Sequence, residues 1–158
     1  MEIHNDVRIG HIHLTVSNLD RALTFYRDLL GFEVMDRFGD SAVFLSAGGY
    51  HHHIALNMWA GKGAQPPPPG RTGLYHFAIL YPSRKELAKA LKVLIDAEYP
   101  LEGASDHGVS EAIYLKDPDG NGIELYRDRP KKEWPMENGK LKMTLKPLSF
   151  ADLLADLI

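Results

Sequence analysis

An internal repeat constrains this 158-residue chain more than any other feature: one strand, one helix and three further strands are spelled out, then spelled out again after a proline-rich break. The first copy opens with "GHIHLTV" at residues 10–16, where Ile12, Leu14 and Val16 alternate with His11, His13 and Thr15. That period places the apolar set on one face of a strand and two histidines on the other. Ser17 or Asn18 can cap a helix whose residues Leu19, Ala22, Leu23, Tyr26, Leu29 and Leu30 recur at three- and four-residue steps, and Gly31 suits its left-handed stop. "FEVMDRF", "SAVFLSAG" and "HHIALNMW" then read as three strands punctuated by Gly39-Asp40 and Gly48-Gly49.

Residues 60–73, "AGKGAQPPPPGRTG", contain four consecutive prolines, which neither sustain a helix nor donate to a sheet, so the segment is an extended connector. Beyond it "LYHFAILY" is a strand and "SRKELAKALKVLIDAEYP" a helix, with Ser83 and Glu86 at capping-box spacing and Leu87, Leu91, Leu94 and Ile95 as its buried stripe. "PLEGAS", "SEAIYLKD" and "GIELYRD" are three strands, the last two joined by the tight turn "DPDGNG" at 117–122. Laying the copies over each other puts His11 on His76, 65 residues later, and "IALNMW" opposite "IELYRD". The expected architecture is two similar modules about a pseudo-twofold axis, each a curved sheet with helices outside, and ligands binding between the sheets. Residues 129–158 carry Pro130, Pro135 and Pro147 and end in "SFADLLADLI", a short amphipathic helix expected to pack on the domain or on a second chain.

Composition narrows the chemistry. With 25% charged residues and a net charge of -3, the chain lacks the basic excess that a phosphate backbone requires, so no nucleic-acid partner is expected. No cysteine is present, which removes disulfides, thiolate zinc sites, iron–sulfur clusters and thiol catalysis; any metal must be held by His, Asp or Glu. "MEIHNDVRIG" has no leader pattern and no apolar run approaches the roughly 18 residues of a membrane span, so no membrane partner and a cytoplasmic location are expected. Glu124, in a strand-like run just past a glycine-rich turn, is either a solvent-facing strand residue or a ligand for something positively charged. In "GYHHHIALN", strand alternation would put His51 and His53 on one face and His52 on the other, so all three cannot bind one metal; they line a pocket or lie on the surface.

"GHIHLTVSNLDRALTFYRDLLGFEV", "GLYHFAIL" and "DPDGNGIELYRD" resemble the vicinal oxygen chelate superfamily, which holds glyoxalase I, fosfomycin-resistance transferases, bleomycin-resistance proteins, methylmalonyl-CoA epimerases and extradiol ring-cleaving dioxygenases. The resemblance spans residues 8–128 and implies an α+β glyoxalase-like fold, two repeated βαβββ modules forming a curved mixed-sheet half-barrel. Module one would occupy 8–61, the connector 62–73 and module two 74–128, with 129–158 as a C-terminal extension. It also implies His11, His76 and Glu124 as metal ligands. A fourth ligand position falls near Ala55 to Asn57, where glyoxalase I usually has a glutamate and this chain has no carboxylate. Imidazoles with one carboxylate suit Fe(II), Mn(II), Zn(II) or Ni(II) and leave coordination positions open for substrate and O2.

The stretch before Glu124 resembles the extradiol dioxygenase signature in particular: His107, five residues, Ile113-Tyr114, Asp117-Pro118, Gly120, then Glu124. Ser105 departs from the usual residue two places before the histidine. The resemblance implies an Fe(II)-dependent dioxygenase that opens a small aromatic diol with O2, His107 accepting and returning a proton and Tyr114 hydrogen-bonding the bound oxygens. From residue type alone, Tyr114 could instead fill an inter-sheet core and His107 sit in an exposed loop. His13, on the face of His11, is a supporting residue or a packed or solvated one; His53 and Asn57 are further candidates for lining the substrate site. The same scaffold also runs isomerase, epimerase and thiol-transfer reactions, or binds drugs without metal. One pair of modules leaves sheet edges open, so a homodimer is expected.

Overall fold

In the computed structural model, which describes residues 1–158, the chain divides into two compact units, Met1–Pro67 and Pro68–Ile158. In the first, strand β1 (Ile12–Thr15) forms where the alternation begins, with Leu14 buried and His13 and Thr15 outward. Asn18, not Ser17, caps α1 (Leu19–Leu23): its Oδ1 accepts from the Arg21 N–H at 2.9 Å. The α-helix does not continue to Leu30 as expected. Residues Thr24–Leu29 form a π-helix, in which the Leu30 N–H reaches back five residues to the Phe25 carbonyl at 3.0 Å. The wider turn admits two adjacent aromatic rings to the core, so Phe25 is buried beside Tyr26, edge to face at 4.9 Å, while Leu29 and Leu30 are only half-buried.

Strands β2 (Glu33–Phe38), β3 (Ala42–Ser46) and β4 (Ile54–Asn57) complete a four-stranded mixed sheet in the order β1-β4-β3-β2. Its one parallel pair, β1 with β4, sets His13 opposite Ala55 and Thr15 opposite Asn57.

The second unit repeats the plan. Strand β5 (Phe77–Leu80), helix α2 (Arg84–Asp96) and strands β6 (Leu101–Asp106), β7 (Ser110–Lys116) and β8 (Gly122–Asp128) follow in order, and β5 again lies parallel to the last strand. The ends of β5 fall 65 residues after those of β1, matching the offset of His76 from His11. The α+β class, the two mixed sheets and the doubled βαβββ order are therefore features of the folded chain. Ser83 caps α2 as its spacing implied, accepting from the Glu86 N–H at 3.2 Å. Leu87, Leu91 and Leu94 are buried, but Ile95 is 39% exposed: it lies in the final turn, where the helix is about to end at Ala97.

The C-terminal extension carries more structure than its single expected helix. A hairpin of β9 (Met136–Glu137) and β10 (Lys140–Leu141) leads to β11 (Lys146–Pro147), which adds an antiparallel strand to β6 at the sheet edge. Helix α3 (Phe150–Leu154) then packs on α2 through the buried Leu153. No helix is long and apolar enough to cross a membrane.

Candidate metal-binding and catalytic site

The turn at 117–122 prepares the position of Glu124. Asp117, buried, accepts N–H bonds from Asp119 (2.9 Å) and Asn121 (2.8 Å) on Oδ1 and the Asn121 amide on Oδ2 (2.8 Å), so one carboxylate organises the turn. Gly120 takes φ +86°. Gly122 serves a different need: a Cβ there would lie 2.2 Å from the Tyr75 carbonyl oxygen and 3.1 Å from the His76 Cβ. Its bare backbone lets the chain entering β5 pass close to β8. Because Ala78 pairs with Glu124, His76 two residues earlier shares the face of Glu124. His76 Nε2 stands 2.9 Å from Glu124 Oε2, with the side chains 31% and 14% exposed. Glu124 is thus a mostly buried carboxylate facing an imidazole.

Tyr114 lies directly across from Glu124 in β7. Its hydroxyl is 2.5 Å from His107 Nε2 and also meets the Glu124 carboxylate. Burial, then the charge and hydrogen bond of Glu124, pushes the phenol up to about 12. His107 is half-buried at the β6–β7 turn, its N–H bonded to the Ser110 carbonyl at 2.9 Å, and its Nδ1 lies 3.3 Å from the Thr144 carbonyl oxygen. Tyr75, His76, His107, Tyr114, Ile123 and Leu145 share the lining of a cavity of about 440 Å³.

In the first unit, His11 precedes β1 and is exposed, its ring 4.3 Å from that of His52. Asn57, buried, donates from Nδ2 to His13 Nε2 at 3.0 Å and accepts from the Trp59 N–H on Oδ1 at 3.0 Å, while the Trp59 ring lies 5.2 Å from that of His13. His53 is tied to the end of β3, its Nδ1 lying 3.3 Å from both Ser46 Oγ and the Ala47 N–H. The expected alternation across His51–His53 does not hold. Strand β4 begins only at Ile54, and in the irregular segment before it the Nδ1 atoms of His51 and His52 are 2.8 Å apart. Burial and the surrounding histidines depress the His52 pKa. Ala55, fully buried, occupies the register position that Glu124 holds in the second unit, so the missing fourth carboxylate is replaced by core packing.

Within neither unit do three His, Asp or Glu side chains converge on one point. The second unit brings His76 and Glu124 together; the first holds His11, the repeat counterpart of His76, against His52. The donor types fit a divalent cation. Two ligands at right angles on a cation with bonds of about 2.1 Å are separated by about 3 Å, close to the 2.9 Å between His76 and Glu124. Both residues stand out in the sequence, yet the space Gly122 leaves, the contact of Thr144 with His107 and the pairing of His52 with His11 carry no periodic signal.

The family model described as the glyoxalase/bleomycin resistance protein/dioxygenase superfamily matches residues 8–125. The chain is 43% identical over 156 residues to the catechol-2,3-dioxygenase of Bacillus subtilis, covering 98% of itself but 53% of that relative. It is 30% identical over 131 residues to the manganese-dependent 2,3-dihydroxybiphenyl 1,2-dioxygenase of Geobacillus genomosp. 3, covering 81% of itself and 39% of that relative. The crystal structure of lactoylglutathione lyase from Agrobacterium tumefaciens aligns with a TM-score of 0.61 and 25% identity over 78% of this chain and 96% of that one. The doubled βαβββ order, the two mixed sheets and the match over residues 8–125 lead to one conclusion: the chain belongs to the glyoxalase/bleomycin resistance protein/dioxygenase superfamily.

Proposed function

We propose that this chain is a metal-dependent extradiol-type dioxygenase that opens a small aromatic diol with O2. One observation carries the reading: His76, His107 and Tyr114 line a single cavity, where His76 faces Glu124 at 2.9 Å and Tyr114, across the sheet from Glu124, meets His107 at 2.5 Å. The names of two relatives support the substrate class, and since the chain spans about half or less of their lengths, the activity is assigned to this chain as a proposal.

The proposed ligands are His11, His76 and Glu124, holding Fe(II); Mn(II), named for one relative, and Zn(II) or Ni(II) suit the same donors. A bound divalent metal would supply positive charge that favours deprotonation of a chelating diol, and Fe(II) or Mn(II), unlike Zn(II), would add redox capacity toward O2. The chain's own residues do the rest. His107 Nε2 would take and return a diol proton once the Tyr114 hydroxyl, whose phenol keeps its proton well above neutrality, turns from it to hydrogen-bond the diol. Tyr75, Ile123 and Leu145 wall the cavity with rings and aliphatic carbon that suit an aromatic face. The apolar Ala55 withholds the carboxylate that a glyoxalase-type proton transfer would use. Homodimeric assembly belongs to the same proposal, since β1 and β2 end the first sheet with unpaired edges.

Oxygen uptake by anaerobically Fe(II)-loaded protein, assayed with monocyclic and bicyclic catechols, tests the reading. The expected result is uptake with a yellow ring-opened product, abolished in Glu124→Ala together with at least about 10²-fold of metal affinity. No uptake despite bound Fe(II) would sink the dioxygenase reading and make isomerisation and thiol transfer the next assays.

A further inference from the structure

We propose that the segment 135–147 of the C-terminal extension is a positioning device that holds His107 as its Nδ1–H tautomer through the main-chain carbonyl of Thr144. The functional weight of this inference rests on the reading of His107 as the proton-handling residue; its geometry does not. Two main-chain groups of Thr144 clasp His107: the Thr144 N–H donates to the His107 carbonyl at 2.9 Å, and the Thr144 carbonyl oxygen lies 3.3 Å from His107 Nδ1. A carbonyl oxygen only accepts, so that contact requires the proton on Nδ1. The neutral ring then has its lone pair on Nε2, the nitrogen 2.5 Å from the Tyr114 hydroxyl, so the single hydroxyl proton goes to Nε2 and is withheld from the Glu124 carboxylate that the hydroxyl also meets. Because a hydroxyl can give or take a proton, Tyr114 alone would accept either tautomer. The Glu124 carboxylate, which only accepts, competes for the hydroxyl proton and so favours Nε2–H, which leaves the Thr144 carbonyl as the group that holds the proton on Nδ1.

The segment is anchored at several points independent of His107. Lys146 and Pro147 pair with Asp106 and Ser105 of β6, and the Lys142 N–H bonds the Pro135 carbonyl at 2.9 Å. Asp106 in turn holds Arg129 at 2.7 Å, whose carbonyl accepts from the Trp134 indole at 2.8 Å. Gly108, at φ +75°, leaves room for the approach: a Cβ there would lie 2.7 Å from Pro135 Cγ and 2.8 Å from Thr144 Oγ1. Leu145, next in sequence, lines the same cavity as His107. One segment thus sets both the ring's acceptor nitrogen and an apolar wall beside it.

Long-range 1H–15N correlation spectra of the whole 158-residue chain, metal-free and labelled at histidine nitrogens, test this, with His107→Gln assigning the resonances. The wild type is expected to show a pyridine-like Nε2 and a pyrrole-like Nδ1, the reverse of the tautomer imidazole prefers in water. Tyr114→Phe, which removes the partner of Nε2 along with its contact to Glu124 but leaves the Thr144 carbonyl in place, should keep that pattern; Gly108→Ala, which forces the segment away, should lose it. An Nε2–H ring in the wild type, a reversal in Tyr114→Phe, or a folded Gly108→Ala that retains Nδ1–H would each overturn the proposal. If Gly108→Ala does not fold, the first two spectra still decide. The readout needs no turnover, so failure of the dioxygenase reading and failure of this one are separate results.

Discussion

At the scale of single residues, Gly122 shows how little of a side chain's role its type reveals. Within "DPDGNG" it reads as one more turn glycine, yet only Gly120 has the left-handed backbone that a turn demands; Gly122 is required for space. A methyl group 2.2 Å from the Tyr75 carbonyl oxygen meets backbone, which cannot swing aside as a side-chain tip can. Gly122→Ala should therefore displace His76 from Glu124. We expect metal affinity to fall at least about 10-fold and stability to drop by about 1–3 kcal/mol from overpacking. Calorimetric titration with Mn(II) and denaturant unfolding check the two effects, and wild-type affinity in this variant would separate Gly122 from the site. Glu124 itself was legible as one of two options, and the 14% exposure of its side chain beside His76 rules out a freely solvated strand position.

At the scale of elements, charge fastens the extension to its unit. Glu111, 4% exposed, accepts from Arg84 of α2 (2.9 Å), Arg127 of β8 (2.6 Å) and Arg129 of the extension (3.2 Å), and Arg84 also bonds Asp156 beyond α3 (2.5 Å). Glu111→Ala would leave Arg127 without a carboxylate and take one partner each from Arg84 and Arg129, so a loss of about 3–5 kcal/mol is expected in denaturant unfolding; a loss within experimental error would mean that solvent reaches the cluster. Asp106 adds a pH dependence. Burial raises its pKa, but the hydrogen bond of Arg129, the Gly108 N–H and the charges of Arg129 and Lys146 outweigh burial and hold it below its ordinary 3.8. A carboxylate with a depressed folded pKa stabilises the fold above its unfolded value, and that contribution is lost as pH falls through the lower folded one. The extension should loosen in acid below about pH 4, seen as a change in Trp134 fluorescence in a Trp59→Phe background, with a shallower response in Asp106→Asn.

At the scale of the whole molecule, each repeat leaves its opening strand at a sheet edge: β1 ends one sheet and β5 the other. Such edges present unpaired N–H and carbonyl groups that a second chain can cover. Light scattering is expected to return the mass of two chains rather than 17.7 kDa, and a mass of one chain would remove the homodimer from the proposal.

The sequence by itself determined the order of elements, the doubled plan, the 65-residue offset of His11 and His76, and the types of residue able to hold a metal. These come from two-residue and 3.6-residue periodicities and from an arithmetic repeat, all of which are local or self-similar and so survive in one dimension. Only the tertiary structure decided that the first helix widens to admit Phe25, that Ile95 escapes the core, that His51 and His52 meet, and that Thr144 reaches His107 across 37 residues. Those outcomes depend on which backbones approach closely and which side chains fill the space between them. Packing of that kind is set by contacts distant in the chain, and no periodicity encodes it.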